Sequence, residues 1–266
     1  MTTPLGQPIA VGRTAEIYAW ENDQVLKLFF ADVPRTDVER EAHISRQIYA
    51  SFVPSPAVGA MLEIEDRLGL VFQRIDGVSM AEDLLHHPLR FRSLALLAAQ
   101  YLAELHTRIF HYDLPDQRTV WRAKIEQSGL PDNQLVQLFE RLEALPQGSR
   151  LCHGDFHPAN LLITPQGLVI IDWLDATVGN PLADLARSTL LIQAAVKNGS
   201  LRQPWLRWSV QLFQWILVRE YFRLNPGGEK EFRRWLPLAA AARLSEHVPG
   251  EHDWLQTQVA NSLLLA

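Results

Sequence analysis

Three oxygen-bearing side chains stand near one another in a stretch otherwise written for burial. The run LCHGDFHPANLLI, residues 151–163, is apolar at both ends and carries Asp155 and Asn160 in its middle; NLLITPQGLVIIDW then brings Asp172. A polar tight turn is the common use of Gly, Asp, Pro and Asn in one place. A catalytic loop is the other reading. Pro165 and Gly167 suit a turn between two apolar runs, so this second segment reads as a β-hairpin. Folding it about Pro165 and Gln166 sets Asn160 roughly opposite Asp172 at the open end, where facing Cβ atoms lie about 4.5–5.5 Å apart. An amide oxygen and a carboxylate that close can share one Mg²⁺, a small hard cation that takes oxygen ligands and keeps substrate phosphate among them. Asp155, in the loop entering the hairpin, could then face a hydroxyl whose oxygen attacks a phosphorus atom held by that metal.

The elements that must position these groups change character along the chain. EIYAW and QVLKLFF are rich in β-branched and aromatic residues and flank the turn-forming Glu21-Asn22-Asp23, which predicts a hairpin. TDVEREAHISRQIYA predicts a helix, with Thr36 and Glu39 at capping-box spacing, and VPSP at 53–56 stops it. Two further strand-like runs, AVGAMLEIE and LGLVFQRI, join around Asp66. After Asp76-Gly77 the period changes: Ser79 and Glu82 repeat the capping-box spacing, and amphipathic segments follow at 90–110, 118–128 and 132–144. A β-like island at 150–173 interrupts them before helices at about 182–197, 204–224, 229–246 and 252–264. The expectation is an α+β chain with a boundary near 76–77, a small sheet and one helix on one side and a larger, mainly helical part on the other.

The motifs HGDFHPANLL, IDW and GNPLADLA, in that order, resemble the signature of the aminoglycoside phosphotransferase family, relatives of choline kinases and more distantly of protein kinases. The Asp155-to-Asn160 spacing equals that of the kinase catalytic loop, and Asp172 stands where the later metal-binding Asp is found. The resemblance implies a two-lobed protein-kinase-like fold, with residues 1–76 as the nucleotide-binding lobe and 77–266 as the helical lobe. It implies ATP and Mg²⁺, a small-molecule hydroxyl acceptor, and Asp155 as catalytic base with Asn160 and Asp172 on the metal. Upstream, Lys27 in VLKLF resembles the strand lysine that grips phosphates and Glu41 the helix acid that pairs with it. Backbone groups of roughly Gln73 to Ile75 resemble the hinge that meets adenine, and Asp184 resembles a buried acid that braces the catalytic loop. There are departures. VGRTAEIY offers Gly12 alone where protein kinases have a glycine-rich loop, so phosphate contacts fall to Arg13 and Thr14. No activation-loop signature follows Asp172, which argues for a small-molecule acceptor over a protein, and the thin phosphate loop keeps a nucleotide-binding pseudokinase as the alternative.

Each residue also has a plainer use. Lys27 alone would be a solvated edge charge, Glu41 a solvated helix charge, and Asp155 and Asn160 turn formers. Asp172 resists that reading, because a carboxylate closing the apolar run 168–171 needs a partner. His153 and His157 lack a third ligand for zinc, and His153 is expected to brace the loop. Cys152 is expected to pack as a small hydrophobe. Trp205, Trp208 and Trp215, at near-helical spacing, are expected in the core, with pocket lining as the alternative. Asp175 and Asn180 are weighed between substrate contact and loop support, and Glu220, Arg243, Glu246, His252 and Asp253 are unranked candidates for the acceptor pocket. The composition is that of an ordinary globular protein, 47% hydrophobic and 21% charged over 266 residues. A net charge of -5 gives no basic footprint for nucleic acid. One cysteine excludes an internal disulfide and fits a reducing, cytoplasmic setting. No signal-peptide pattern opens the sequence, and the longest apolar stretch, 93–105, is too short for a membrane span and contains Gln100 and Glu104.

Overall fold

The computed structural model describes residues 5–21, 23–109, 113–199 and 201–264. The expected turn residue Asn22 and the last residue of the expected 90–110 helix lie outside them. The chain divides into two compact units, residues 1–78 with 162–174 and residues 79–161 with 175–266. A single cut at 76–77 makes no provision for the 162–174 hairpin, which is grouped with the first unit.

The first unit begins with β1 (Ala10–Val11), β2 (Ala15–Trp20), β3 (Gln24–Phe29), α1 (Arg35–Ala50), β4 (Val58–Ile64) and β5 (Arg67–Gln73). Its strands form an antiparallel sheet in the order β1-β2-β3-β5-β4, with Lys27 opposite Ile17 on one side and Leu70 on the other. Alternation along β3 separates the two faces. Leu26 and Leu28 pack with Tyr18, Ile64 and Val71. Phe29, two residues from Lys27 and so on its face, packs with Ala15, Leu70 and the α1 residues Val38 and Ala42. Helix α1 buries Val38, Glu41, Ala42, Ser45 and Ile48, the stripe that a 3.6-residue period lays along one side. It starts at Arg35 behind Pro34 with no side-chain cap, so the expected Thr36 cap is not used: the Pro34 carbonyl takes the Asp37 and Val38 amides instead.

The chain continues through β6 (Val78–Ser79), α2 (Met80–His86), α3 (Phe91–Leu105), α4 (Gln117–Glu126), α5 (Asp132–Ala144) and β7 (Arg150–Cys152). At α2 the expected cap is present, the Ser79 hydroxyl accepting the Glu82 amide at 3.1 Å. β8 (Leu161–Thr164) and β9 (Gly167–Ile170) are the predicted hairpin, with Gly167 at φ 127, a value that favours glycine after the Pro165-Gln166 turn. The remainder is β10 (Thr177–Gly179), α6 (Pro181–Lys197), α7 (Pro204–Leu224), α8 (Glu229–Leu244) and α9 (His252–Leu264). β10 escapes sequence reading because it is three residues long, yet it pairs antiparallel with β7, Thr177 opposite Cys152. Helix α6 is buried on nearly every side from Ala183 to Ile192, packing against α7 and α8, and forms the axis of the second unit. Among the described residues no helix is long and apolar enough to cross a membrane.

Candidate active site

In the first unit the sequence-predicted groups meet around Lys27. Its Nζ lies 2.6 Å from Glu41 Oε1 and 3.2 Å from Asp172 Oδ1, and 5.3 Å from the centre of the Phe29 ring. The Glu41 carboxylate is buried and Lys27 partly so, while Asp172 is 42% exposed. Burial pushes the Lys27 ammonium toward the neutral form, but Asp172 and Glu41 outweigh it and raise its pKa. Asp172 adopts φ 63, two residues beyond the end of β9, and the neighbouring Trp173 is buried with its indole nitrogen donating to the Ile170 carbonyl at 2.9 Å. A non-glycine residue in the left-handed region is uncommon, and such strain gathers at functional positions.

The other predicted residues of this unit lie in the β1–β2 turn and at the end of β5. Arg13 and Thr14 occupy the short turn between β1 and β2, where Gly12 N bonds Ala15 O and the Thr14 carbonyl accepts from Phe30 N. The Gln73 amide is committed to the Ala57 carbonyl and that of Arg74 to Asp23, because sheet pairing runs past the end of β5. Of the amides among the backbone groups expected to meet adenine, that leaves Ile75.

In the second unit β7 leads into the polar loop. Gly154 sits at φ 78, and a Cβ there would lie 2.2 Å from the Asp175 carbonyl oxygen, so only glycine fits. Asp155 and Asn160 close one turn: Asn160 Nδ2 donates to the Asp155 carbonyl at 3.0 Å and to its Oδ2 at 2.9 Å. The hairpin ladder stops at Leu161, so Asn160 belongs to a short 3₁₀ turn rather than facing Asp172 across strands as expected. His157 Nδ1 accepts the Ala159 amide, which leaves the proton on Nε2, 3.3 Å from Asp155 Oδ2. Burial acts to raise the Asp155 pKa, but the His157 hydrogen bond and the charges of Arg187 and His153 hold it well below the usual carboxylate range.

The loop backbone is held from α6. Asp184, fully buried, accepts the His153 amide on Oδ2 at 2.7 Å and the Gly154 amide on Oδ1 at 2.8 Å. His106 Nε2 lies 3.1 Å from the same Oδ2, and its Nδ1 is 2.7 Å from the Tyr221 hydroxyl. A carboxylate only accepts, so the imidazole donates through Nε2 and takes the tyrosine proton at Nδ1. Burial alone would raise the Asp184 pKa; these donors lower it. His106, Cys152 and Asp184 are close enough for a metal, but both His106 nitrogens are engaged and burial raises the Cys152 thiol well above its ordinary pKa, away from the thiolate a metal needs. His153 braces the loop as expected, its Nδ1 accepting the Asp155 amide at 3.1 Å.

Several candidates make contacts within the second unit. Asn180 caps α6 through Leu182 N and reaches Pro146 O and Glu231, Glu220 pairs with Arg223, and Arg243 clasps Glu246 and Glu251. Asp175 holds Lys124 at 2.9 Å. His252 and Asp253 are exposed on α9. The three tryptophans are about half exposed, which corrects the core expectation: α7 buries Leu206, Ser209, Phe213, Leu217 and Tyr221, the opposite face. Spacing shows that they share a face, and either face satisfies it.

The fold is that of known kinases. An amicoumacin kinase, hAmiN, in complex with AMP-PNP, Ca²⁺ and Ami superposes with a TM-score of 0.63 at 12% identity, covering 95% of this chain and 85% of that one. Choline kinase from Cryptosporidium parvum Iowa II gives 0.60 at 12% identity, covering 97% and 87%. The sequence profile of the phosphotransferase enzyme family matches residues 6–207, and the chain belongs to that family. Among curated relatives, acyl-CoA dehydrogenase family member 10 of Mus musculus is 27% identical over 176 residues, 58% of this chain; the chain spans 16% of that relative's length.

Proposed function

We propose that this phosphotransferase moves the γ-phosphoryl group of ATP to a hydroxyl of a small molecule, in an Mg²⁺-dependent reaction. The observation that carries the reading is the Asp155–Asn160 turn. With the Asn160 nitrogen committed to Asp155, its amide oxygen is left for a ligand; with Asp155 Oδ2 occupied by Asn160 and His157, Oδ1 is left for a substrate hydroxyl. Asn160 Oδ1 and the exposed Asp172 carboxylate are hard oxygen donors of the kind Mg²⁺ prefers, and they would hold it. Bound there, the ion would neutralise charge on the phosphates. Lys27, kept cationic by Glu41 and Asp172, would bind phosphate oxygens; Arg13, Thr14 and the Ile75 backbone complete the assignment, and Gln73 would contribute through its carbonyl or side chain.

In the transfer, the acceptor oxygen forms its bond to the γ-phosphorus as the bond to the β–γ bridging oxygen breaks, ADP leaves, and the acceptor proton passes to Asp155. So acidic a carboxylate is a weak base, which suits a loose transition state: the hydroxyl keeps its proton until bonding to phosphorus has made it strongly acidic. Asp155 then serves chiefly to orient the hydroxyl, and most of the acceleration comes from positioning and charge.

The test is an ADP-release screen of the purified protein against aminoglycosides, macrolides, choline-like amino alcohols and sugars, repeated with Asp155→Asn. Turnover with at least one acceptor should fall about 10² to 10⁴-fold in the variant with nucleotide binding retained. No turnover with any acceptor, or an undiminished rate in the variant, removes the proposal.

A further inference from the structure

Helix α6 presents a second side chain to the catalytic loop, one turn beyond Asp184. Arg187 is 3% exposed, and its Nε donates to the Gly154 carbonyl at 3.1 Å. Asp184 already holds the Gly154 amide. Both main-chain polar atoms of the residue before Asp155 are thus gripped by α6 side chains at i and i+3, which share a helix face. Gly154 is the loop residue whose positive φ admits no side chain, so it is the natural hinge, and the two bonds fix it. The clamp is itself anchored. Arg187 Nη2 donates to Glu246 Oε1, whose carboxylate also meets Arg243 Nη1 at 2.5 Å and Lys124 Nζ at 3.6 Å. Arg243 passes the chain of pairs to Glu251 at 2.8 Å, just ahead of α9.

For stability alone this is a poor arrangement. A buried guanidinium costs desolvation that well-packed apolar residues avoid, and Arg187 Nη1 is buried with no hydrogen-bond partner among the described residues. Leucine or methionine would serve a core helix better.

We propose that Arg187 is a positioning residue, which locks the Gly154 peptide and so sets the placement of the Asp155 carboxylate for phosphoryl transfer. The clamp is a matter of loop geometry; its consequence for turnover rests on the function proposed above. Two variants of the full chain separate the roles. Arg187→Met cuts the carbonyl bond but leaves Glu246 partly unpaired, so it lowers stability as well. Arg187→Met combined with Glu246→Leu removes both charges and should regain much of the lost melting temperature.

Hydrogen exchange of the 151–160 segment, followed by mass spectrometry, reads the loop directly. It should quicken by about tenfold in both variants, the size of one lost net hydrogen bond. With an acceptor found in the screen, kcat should fall about ten- to a hundredfold in both, while KM for ATP stays within about twofold. If the double variant returns loop exchange and kcat to wild-type values, Arg187 acts through stability alone and the proposal is wrong. Unchanged loop exchange in either variant overturns it too. Should the wild type turn over no acceptor, the phosphotransfer reading falls while the exchange data still decide the clamp; should Arg187→Met fail to fold, the double variant carries the test.

Discussion

Lys27 in the first unit and Asp155 in the second are both ionised and largely enclosed, yet they are held in opposite ways. Lys27 is fixed side chain to side chain, by a buried glutamate from α1 and an exposed aspartate after β9. Asp155 has one carboxylate oxygen taken by Asn160 and His157, and in addition its backbone is clamped, the loop being tied at successive residues by Asp184, His153 and Arg187. A charge held by charges can exchange one partner for a ligand while staying ionised. A charge held by a clamped main chain keeps its position when its side chain engages something new. The first arrangement suits binding a polyanion and the second suits aligning a reacting atom.

The comparison breaks most visibly if the loop clamp proves dispensable. Asp184→Ala strands the His153 and Gly154 amides and the His106 donor in a dry site, which should cost about 3–5 kcal/mol in chemical denaturation at pH 7. The penalty carries a pH signature. The folded pKa of Asp184 lies below its ordinary 3.8, so its contribution is complete above that value and disappears as pH falls through the lower folded value. The stability gap between wild type and Asp184→Asn should therefore begin to narrow below about pH 4, the ordinary carboxylate range, and go on narrowing as pH falls further. A gap that persists undiminished to pH 2.5 would show that the carboxylate charge is not what holds the loop.

That clamp also marks how far the sequence can be read. The β8–β9 hairpin is legible because its information is local: a Pro and a Gly at turn positions between two apolar runs. Asp184 as a brace is legible through family resemblance, and so is the pairing of Lys27 with Glu41. His106 and Arg187 are not, since their partners lie 78 residues away at Asp184 and 59 away at Glu246, and no spacing rule spans such separations. That the Gln73 amide is taken is illegible for a related reason: whether a strand's last amide is free depends on a neighbour, here Ala57, that strand propensity does not name. The misplaced tryptophans show the limit of periodicity, which groups residues by face and is silent on which face is buried.

In the first unit the corresponding change should act on binding more than on fold. Glu41→Gln removes the closer of the two anions at Lys27 and keeps the volume, so Lys27 turns to Asp172 alone. ATP affinity should weaken about tenfold, the loss of one charge-assisted hydrogen bond, with kcat changed less than KM. Titration with a fluorescent ATP analogue measures it. A fall in kcat with affinity unchanged would mean that Lys27 is a positioning device like Asp155, and the contrast between the units would fail.

The smallest effect sharpens the contrast at the level of single helices. Thr36 with Glu39 and Ser79 with Glu82 have the same capping-box spacing, so sequence alone treats them alike. Only Ser79 stands at the N-cap, in extended backbone at φ -63 and ψ 141, where its hydroxyl reaches the Glu82 amide. Thr36 has been carried inside α1 because the Pro34 carbonyl starts the helix two residues early, and that helix start has no side-chain cap. Ser79→Ala should cost about 1 kcal/mol and Thr36→Ala a few tenths at most, measured as shifts in denaturation midpoint at constant m. Equal losses would mean that α1 begins at Thr36 in solution, and Glu41 would then be presented to Lys27 from a helix with a different first turn.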